Sequence, residues 1–372
     1  MRSYLDHAST SPLRPEARAA LVAQLDVTGD PGRIHAEGLT SRVVVEGARH
    51  QVAELVGARP REVVFTSGAT EAIAAACWGA AARGTHQVVP AVEHSAVRLA
   101  AERHGEVTLV PVDGRGRVAV DDVLAAVGPD TALVHVQWGN HEVGTVQPVA
   151  DVVAACRERR VLVHVDAVQA VGHADVDFRA LGADLMSISA HKFGGPTGVG
   201  ALLIRQGLRL APLLVGGDQE RARRAGLENV AAVAGFGAAC AAVDVAAESA
   251  EQRRLTRRIL DAVGDAALGL VVYGDAVDRL PHIVCLGVEG VEPQAVLLGL
   301  DRAGIAAHSG SACSSEALEP SPVLEAMGVD AHHSLRLSVG WSTTDGDVDR
   351  LLEALPGALA DLRGLATDSI GR

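Results

Sequence analysis

Short β-branched runs alternate with alanine-rich stretches along the first two thirds of this chain, and that alternation most constrains its fold. Seven runs are predicted strands, at residues 62–66, 87–89, 107–110, 132–136, 161–165, 185–189 and 199–204. The stretches between them are predicted helices, at 69–83, 95–104, 121–127 and 149–160. Strand–helix–strand alternation at this spacing is typical of a mostly parallel sheet covered by helices on both faces. The sequence therefore predicts an α/β fold.

The pattern restarts after a long alanine-rich region at 228–263, which is predicted to be helical. Beyond it lie predicted strands at 271–273, 283–287 and 335–339, and predicted helices at 293–303 and from Asp345 onward. A chain of 372 residues fits two domains at roughly 100–200 residues each. The restart therefore predicts a smaller C-terminal α+β domain that begins near residue 250.

Composition and charge exclude several classes of protein. Hydrophobic residues make up 48% of the chain and aromatic residues 2%, so a sizeable core must be built from alanine, valine and leucine. The net charge of −13 disfavours direct binding of nucleic acid, because phosphate backbones repel an acidic surface. The longest charge-free apolar run, at 230–243, is shorter than the roughly 20 residues that span a bilayer. It predicts a buried helix and no contact with a membrane.

The N-terminus and the cysteines indicate a reducing compartment. The first seven residues lack the apolar segment of a signal peptide, so we expect a cytoplasmic protein. The five cysteines form no C-x-x-C pair, which disfavours a disulfide framework and a zinc site, and no metal is predicted. Four of them lie in apolar contexts and are predicted to be small core residues: Cys77, Cys156, Cys240 and Cys285. The fifth, Cys313, lies among small residues at 309–315, a run that can carry an exposed, reactive thiolate.

Two charged residues follow predicted strands of the large sheet. Lys192 comes after the strand at 185–189 and before the glycines and proline at 194–196, and Asp166 follows the strand at 161–165. Ligands collect beyond the carboxyl ends of such strands, where a lysine can form a Schiff base with an aldehyde cofactor. An acid beside the ring nitrogen of pyridoxal phosphate keeps that nitrogen protonated, so that the ring can absorb carbanion charge. A surface lysine and a helix N-cap are the structural alternatives.

Three other positions offer groups for the same kind of ligand. The tight turn at 66–71 joins a strand to a helix, whose free N–H groups, with the Thr70 hydroxyl, would hold a phosphate. His94 follows the strand at 87–89, and an imidazole there can stack on a flat ring and shuttle protons. Arg336 lies on a predicted strand of the small domain, where it suits a substrate carboxylate or a structural ion pair.

The order of these segments along one chain resembles the cysteine desulfurases of the class V aminotransferase fold, in the IscS/NifS-like group. The matching stretches are 4–8, 64–71, 93–94, 140–144, 164–169, 189–192, 310–313, 318–321 and 335–336. They cover essentially the whole chain, and the Glu-Pro-Ser segment after Cys313 points away from the SufS-like group. The resemblance implies a pyridoxal phosphate-dependent transferase fold, aspartate aminotransferase-like, with a large domain at 16–249. The small domain would combine residues 1–15 with 250–372.

The resemblance also implies a role for each matching residue that would contact the cofactor. Lys192 would bind pyridoxal phosphate covalently, Asp166 would pair with the pyridinium nitrogen, and Gln169 would hydrogen-bond the phenolic oxygen. His94 would stack on the ring and act in proton transfer. Further cofactor contacts, chiefly with the phosphate, would come from Gly68, Ala69, Thr70, Ser189, Ala190 and His191.

Three residues would act on the substrate, which the resemblance implies to be L-cysteine. Arg336 would clamp its carboxylate, and Asn140 would also contact it. Cys313 would attack the sulfur of the bound cysteine, which leaves a persulfide on the enzyme and releases alanine. The resemblance also implies a homodimer with active sites at the subunit interface, and a sulfur-acceptor protein as partner. An iron–sulfur scaffold, a tRNA thiolase and a biosynthetic sulfur carrier all remain open as that acceptor.

The chain departs from the family's pattern at positions near the expected site. His141 stands where the family usually has an asparagine that contacts the cofactor. Leu227 stands where a threonine usually reaches the neighbouring subunit's phosphate, and it cannot make that hydrogen bond. We therefore expect altered cofactor contacts in an active enzyme. Two alternatives stay open at this point: another class V lyase or aminotransferase, and a non-catalytic paralogue that acts as a scaffold in a sulfur-transfer complex.

Overall fold

The computed structural model describes residues 2–264, 268–309 and 320–370. Within them the strands are β1 Ser3–Tyr4, β2 Val63–Thr66, β3 His86–Pro90, β4 Glu106–Val110, β5 Thr131–Gln137, β6 Leu162–Asp166, β7 Leu185–Ser189, β8 Gly200–Ile204, β9 Leu270–Tyr273, β10 Ile283–Val288, β11 Ile305–Ala306 and β12 Ser334–Ser338. The α-helices are α1 Pro15–Val22, α2 Ala36–Leu55, α3 Ala69–Ala80, α4 Ser95–His104, α5 Val120–Ala126, α6 Val149–Arg159, α7 Phe178–Leu181, α8 Gln219–Ala222, α9 Val230–Ala242, α10 Val245–Val263, α11 Pro293–Arg302, α12 Pro322–Ala326 and α13 Asp345–Ile370. Short 3-10 helices occupy Pro60–Glu62, Ala81–Arg83 and Ala190–Lys192.

A seven-stranded sheet forms the centre of the large domain, in the strand order β2-β8-β7-β6-β5-β3-β4. All neighbouring strands are parallel except β8, which runs antiparallel to both β2 and β7. The predicted mostly parallel sheet is confirmed, and each predicted strand agrees with the observed one to within a residue at either end. The carboxyl ends of β5, β6 and β7 consequently meet at one edge.

Helices cover both faces of this sheet, as the sequence predicts. Apolar residues of α3 pack with one set of strand side chains, for example Ala76 with Leu133 and Leu185. The opposite set packs against α2, α6 and α9, where Phe236 of α9 belongs to the same buried cluster as Val134. Residues alternate between the two faces because successive strand side chains point in opposite directions.

The region predicted as one long helix at 228–263 is two helices, which corrects that expectation. Helix α9 ends at Ala242, and Asp244 begins α10 by accepting a hydrogen bond from the Ala247 N–H at 3.0 Å. An aspartate favours such an N-cap over a helix interior. The predicted buried helix at 230–243 is confirmed. No single helix among the described residues is long and apolar enough to cross a membrane; α9 and α10 reach that length only together, across a bend of 77°.

The sequence analysis did not identify α2, although this helix has 20 residues. Its buried side chains include Ser41, Val45, Ala48 and Val52, which recur at the helical period. The buried face of α2 is narrow and includes polar residues, among them Ser41. The apolar residues alone therefore do not reveal the helical period. It also missed the two-residue strands β1 and β11, which pair in parallel and join the N-terminus to the small domain. This pairing supports the prediction that residues 1–15 belong to the small domain, whose exact bounds stay a prediction.

A second sheet, in the antiparallel order β12-β10-β9, forms the centre of the small domain. Helices α10, α11 and α13 pack on it through a separate buried cluster that includes Leu255, Val296 and Leu351. The predicted α+β character of this domain is confirmed by this arrangement. The sheet matters for the site because β12 carries Arg336 toward the edge where the large sheet ends.

A buried ion pair connects α2 with the segment that precedes α9. Arg49 is 2% exposed, and its Nη1 and Nη2 donate to the two Glu220 carboxylate oxygens at 2.6 and 2.8 Å. The Phe65 N–H also donates to Glu220, at 2.9 Å. Glu220, Arg221 and Ala222 all have left-handed backbone angles, with φ between 49° and 59°. Such angles are costly for residues with a Cβ, so the ion pair holds a strained turn in place.

We predict that Glu220→Gln destabilises the protein by about 3–5 kcal/mol, because it leaves the Arg49 charge buried without its partner. The matched control is Glu46→Gln, since Glu46 contacts the same arginine from a half-exposed position at 3.1 Å. Glu46→Gln should lower the free energy of unfolding by less than about 1 kcal/mol. Chemical denaturation of the three proteins provides the comparison. Equal destabilisation by both variants would show that the buried pair has no special structural role.

Candidate active site

A cavity of about 570 Å³ lies where β5, β6 and β7 end and α3 begins. Eleven of the predicted site residues line it: Gly68, Ala69, Thr70, His94, His141, Asp166, Gln169, Ser189, His191, Lys192 and Arg336. The cavity also includes residues that the sequence analysis did not single out, among them Ser9, Gln137 and His308. Residues from both domains and from the N-terminal segment therefore share one site.

Lys192 lies in the 3-10 helix that follows β7, and its amino group is buried in this cavity. Its Nζ donates to the backbone carbonyls of Ala8 and Ser9, both at 2.8 Å. Burial lowers the pKa of this amine to about 8, and the nearby positive charge of Arg336 contributes. Lys192 is also the only lysine in the chain, since the other 32 basic residues are arginines. An aldehyde cofactor therefore meets a single lysine amine in this protein, a signal that the sequence analysis overlooked.

Asp166 ends β6 and is nearly fully buried beside the cavity. Its Oδ1 accepts a hydrogen bond from the Val168 N–H at 3.0 Å. Burial raises the pKa of this carboxyl, while the Val168 N–H and the charges of His141 and Lys192 act in the opposite direction. A protonated ring nitrogen next to this carboxylate would supply the positive charge that a buried anion requires.

Glu93 is a buried carboxyl close to Asp166 for which the sequence analysis gave no role. One of its oxygens accepts the Gln137 N–H, and the other has no partner among the described residues. Burial raises the pKa of Glu93 well above its usual range, and the Asp166 charge adds to this effect. The repulsion between the two carboxylates therefore favours the neutral form of Glu93. The sequence could have indicated a role for Glu93, because this residue precedes His94 in one of the stretches that match the family.

The N-terminus of α3 forms one end of the cavity and suits an anion. Gly68 is its N-cap and supplies no side chain to bond the first turn, so the N–H groups of Ala69, Thr70 and Glu71 have no partner in the described chain. A Cβ at Gly68 would meet no atom within 4 Å, so open space lies in front of them. Helix N-termini with free N–H groups bind phosphate. The hydroxyl-bearing Ser189 lines the cavity as well.

His94 and His141 lie edge to face, with 5.0 Å between their ring centroids. His94 is the N-cap of α4, and its Nδ1 accepts a hydrogen bond from the Ala96 N–H at 3.1 Å. Burial, followed by the charge of His141, lowers the pKa of His94 to about 3. The ring is consequently neutral, with its proton on Nε2. His141 Nε2 lies 3.6 Å from the Glu142 carboxylate, which orients this unusual residue at the cavity wall.

Arg336 extends from β12 into the cavity and is 2% exposed. It donates to the His141 carbonyl at 2.8 Å, and to Asp6 and Ser9 at 3.0 and 2.7 Å. Its Nε is buried with no hydrogen-bond partner. The structure therefore contains the ion pair that the sequence left as an alternative, together with an unused donor that suits a substrate carboxylate.

Two of the predicted residues, Asn140 and Ala190, do not line the cavity, and a third lies outside the described residues. Asn140 is fully buried, and its amide bonds the Val92 carbonyl and the N–H groups of Glu142 and Val143. Ala190 is also buried behind the cavity. Cys313 lies outside the described residues. The functions predicted for these three residues stay predictions.

The other four cysteines are buried, as predicted. Burial raises the pKa of Cys77 to about 12 and that of Cys156 to about 11, so these thiols remain protonated. The same cause raises the pKa of Cys240 and of Cys285. None of these four can supply a reactive thiolate near neutral pH.

The residues of the cavity fit pyridoxal phosphate. The buried Lys192 amine suits its aldehyde, the Asp166 carboxylate suits its ring nitrogen, and the uncapped α3 N-terminus suits its phosphate. The arrangement can hold a flat, anionic aldehyde and handle protons beside it.

Comparison with known proteins agrees with this geometry. The model of the family described as Aminotransferase class-V matches residues 3–351. The protein named cysteine desulfurase IscS 1 from Archaeoglobus fulgidus is 40% identical over 378 residues, which cover 98% of each chain. A solved structure described as a NifS-like protein superimposes with a TM-score of 0.89 at 31% identity, covering 97% of this chain and all of that one.

A second solved structure, described as SspA in complex with cysteine, has a TM-score of 0.81 at 25% identity and covers 92% of this chain and all of that one. The family match extends over most of both domains, so it includes every residue that lines the cavity. The predicted resemblance is thereby confirmed. This chain belongs to the class V aminotransferase family, in the group of the cysteine desulfurases.

Proposed function

We propose that this enzyme is a pyridoxal phosphate-dependent cysteine desulfurase, which converts L-cysteine to L-alanine and transfers the sulfur to its own Cys313. The observation that supports the proposal most directly is the position of the only lysine in the chain. Lys192 is buried between a carboxylate, an uncapped helix N-terminus and a neutral imidazole, which are the groups that this cofactor needs. The curated relative at 40% identity carries the same activity in its name.

Three regions of the cavity would each bind a different part of the cofactor. When bound, pyridoxal phosphate supplies a ring that absorbs the electrons released at the substrate. Lys192 provides the amine that attaches it, and the pKa of about 8 leaves a useful fraction of that amine unprotonated near neutral pH. Asp166 would hold a proton on the ring nitrogen, and the N–H groups at the start of α3 would bind the phosphate. His94, with its proton on Nε2, would hold or deliver a proton beside the cofactor.

The substrate site completes the reaction with two further residues. The unpartnered Nε of Arg336 binds the carboxylate of L-cysteine. The Cys313 thiolate attacks the substrate sulfur, so that a sulfur–sulfur bond forms while the bond between that sulfur and the substrate Cβ breaks. The electron pair remains with the carbon, which takes up a proton to become the methyl group of alanine. The enzyme is left with a persulfide, from which an acceptor protein takes the sulfur.

We also propose that the enzyme is a homodimer, because an apolar surface lies beside the active site. Helix α2 exposes Leu39 and Val43, at 47% and 73%, one turn apart on the same face. The next turn of this face carries Glu46, which contacts Arg221 at 3.1 Å. The segment around Arg221 exposes further apolar residues, Val215 at 77% and Leu227 at 61%. Exposed apolar residues thus lie on both sides of this ion pair, and apolar surface of this kind is what a second subunit covers.

The alternative of a non-catalytic paralogue is not supported by the cavity. His141 and Leu227 depart from the family's pattern, but His141 lies at the wall without displacing Lys192, Asp166 or His94. The presence of Lys192, Asp166 and His94 in one cavity supports a catalytic role. The acceptor of the sulfur and the compartment remain expectations: an acceptor protein in the cytoplasm, with iron–sulfur cluster assembly and tRNA thiolation among its possible pathways.

Cofactor attachment can be tested at Lys192. We predict that the purified protein, supplied with pyridoxal phosphate, shows a visible absorbance band that Lys192→Ala lacks. Borohydride reduction should fix one cofactor per wild-type chain, with the label on the peptide that contains residue 192. Lys192→Arg retains the charge but cannot form the bond, so it should resemble the alanine variant. Labelling of Lys192→Ala to the wild-type extent would contradict the assignment.

Sulfur capture can be tested at Cys313. We predict that the mass of the wild-type protein increases by one sulfur atom after incubation with L-cysteine. Cys313→Ala should show no such increase, and it should form alanine only near the background rate. Cys156→Ala is the matched control, because this buried thiol should leave both results unchanged. Intact-protein mass spectrometry and alanine quantification measure the two effects. Full turnover by Cys313→Ala would favour another class V reaction.

The proposed dimer surface can be tested on α2. We predict that Val43→Asp yields a monomer at concentrations where the wild type is a dimer, because the substitution would bury a charge at the interface. Leu99→Asp is the control, since Leu99 is 58% exposed on α4, away from the apolar surface. Light scattering after size-exclusion chromatography gives the masses. A dimer in both variants would place the interface elsewhere.

A further inference from the structure

His282 lies behind the active site and contacts one of the residues that line it. It comes immediately before β10 in the small domain and is fully buried. Its Nε2 lies 3.1 Å from the side-chain oxygen of Gln169, which belongs to the large domain. No role follows for His282 from the matching sequence stretches. The contact therefore joins a cavity residue to a residue that does not itself line the cavity.

The protonation of His282 follows from its surroundings. Burial lowers its pKa well below the usual range, and the neighbouring His173 and His7 add to the effect, so the ring is neutral. An amide oxygen can only accept a hydrogen bond, so the proton must be on Nε2. The other ring nitrogen, Nδ1, is then without a proton, and it is buried with no partner. His282 is consequently a donor to Gln169 and to no other described side chain.

The ring of His282 is also held in its plane. It stacks on His173 with 3.7 Å between the ring centroids and 15° between the planes. His173 is itself fixed, because its two nitrogens contact the Gln252 side chain at 3.0 Å and the Lys192 carbonyl at 3.3 Å. The direction of the hydrogen bond to Gln169 is therefore set by packing on both sides of the domain boundary.

This hydrogen bond, together with the one to the Ala8 carbonyl, fixes the orientation of the Gln169 amide. The oxygen is turned toward His282, so the nitrogen points the opposite way and donates to the Ala8 carbonyl at 2.8 Å. That same carbonyl accepts a hydrogen bond from the Lys192 amine. An amide nitrogen carries two hydrogens, and one of them remains for a ligand beside Lys192. If the amide were flipped, it would present an oxygen there.

We propose that His282 is a positioning residue that keeps the donor end of the Gln169 amide directed at the oxygen of the bound cofactor. The inference rests on the proposed function, since it requires pyridoxal phosphate at Lys192. An anionic ring oxygen gains a hydrogen bond from the amide nitrogen and is repelled by the amide oxygen. His282 acts only through Gln169, and it makes the small domain a part of cofactor binding.

Two substitutions separate the donor from the ring. Glutamine places its side-chain nitrogen as many bonds from the backbone as Nε2 of histidine, so His282→Gln keeps the donor and loses the stacked ring. His282→Phe keeps a ring for His173 and loses the donor. We expect His282→Phe to bind pyridoxal phosphate roughly three- to tenfold more weakly, the usual effect of one hydrogen bond, and to shift the visible band of the bound cofactor. His282→Gln should retain the cofactor affinity and the visible band of the wild type.

A double-mutant cycle with Gln169→Leu provides the decisive comparison. If His282 acts through Gln169, His282→Phe has no further effect on cofactor affinity or on the visible band once the amide is gone. The melting temperatures of the cofactor-free proteins report any general loss of stability separately. Equal affinity and an equal band in wild type and His282→Phe would overturn the inference, as would the same weakening in both backgrounds.

The result that would contradict the proposed function differs from the result that would contradict the role of His282. Wild-type protein that takes up no reducible cofactor at Lys192 would contradict the function itself, whatever the variants do. Wild-type protein that binds the cofactor normally, with no difference between His282→Phe and His282→Gln, would contradict only the role of His282. Borohydride labelling of every variant therefore accompanies the affinity measurements.

Discussion

The hydrogen bonds from the Lys192 amine to the Ala8 and Ser9 carbonyls are the interaction on which the rest of the site depends. An amine in a buried cavity needs hydrogen-bond partners, and here they come from the N-terminal segment, 184 and 183 positions away in the sequence. The N-terminal segment can supply them because β1 pairs with β11 and because the Ser11 N–H bonds the His191 carbonyl at 2.8 Å. The carbonyl partners carry no charge, so they orient the amine and still allow its pKa to fall.

The two domains meet at this amine. Asp6 and Ser9, from the same N-terminal segment, receive the Arg336 guanidinium of the small domain. Gln169 of the large domain shares the Ala8 carbonyl with Lys192. The cavity is therefore a junction of three chain segments, and its charged residues are spaced by backbone carbonyls and hydroxyls.

Much of this could be predicted from the sequence, for identifiable reasons. The strands of the large sheet are buried and β-branched, so their positions follow from composition, and Lys192 and Asp166 follow from the ends of those strands. Helix α2 was missed because its buried face includes Ser41 and is narrow. The bend between α9 and α10 was missed because a single aspartate breaks an otherwise continuous alanine-rich pattern.

Contacts between distant segments could not be predicted in the same way. The pairing of His282 with Gln169 joins residues that lie 113 positions apart, and nothing local at either position indicates it. The same holds for Glu93, whose raised pKa depends on how the loop after β3 folds against β5. The residue type at a strand end indicates which functional group the site contains. The contacts that set the pKa and orientation of that group depend on tertiary packing.

The single lysine has a consequence for the protein's chemistry outside its catalytic cycle. Reducing sugars and simple monoaldehydes modify proteins by forming imines with amino groups, chiefly those of lysine side chains, and guanidinium groups do not form simple imines. A surface whose positive charges are all arginines escapes most of this damage. The one vulnerable side chain lies inside the cavity, so a bound cofactor would also act as its protecting group against glycation.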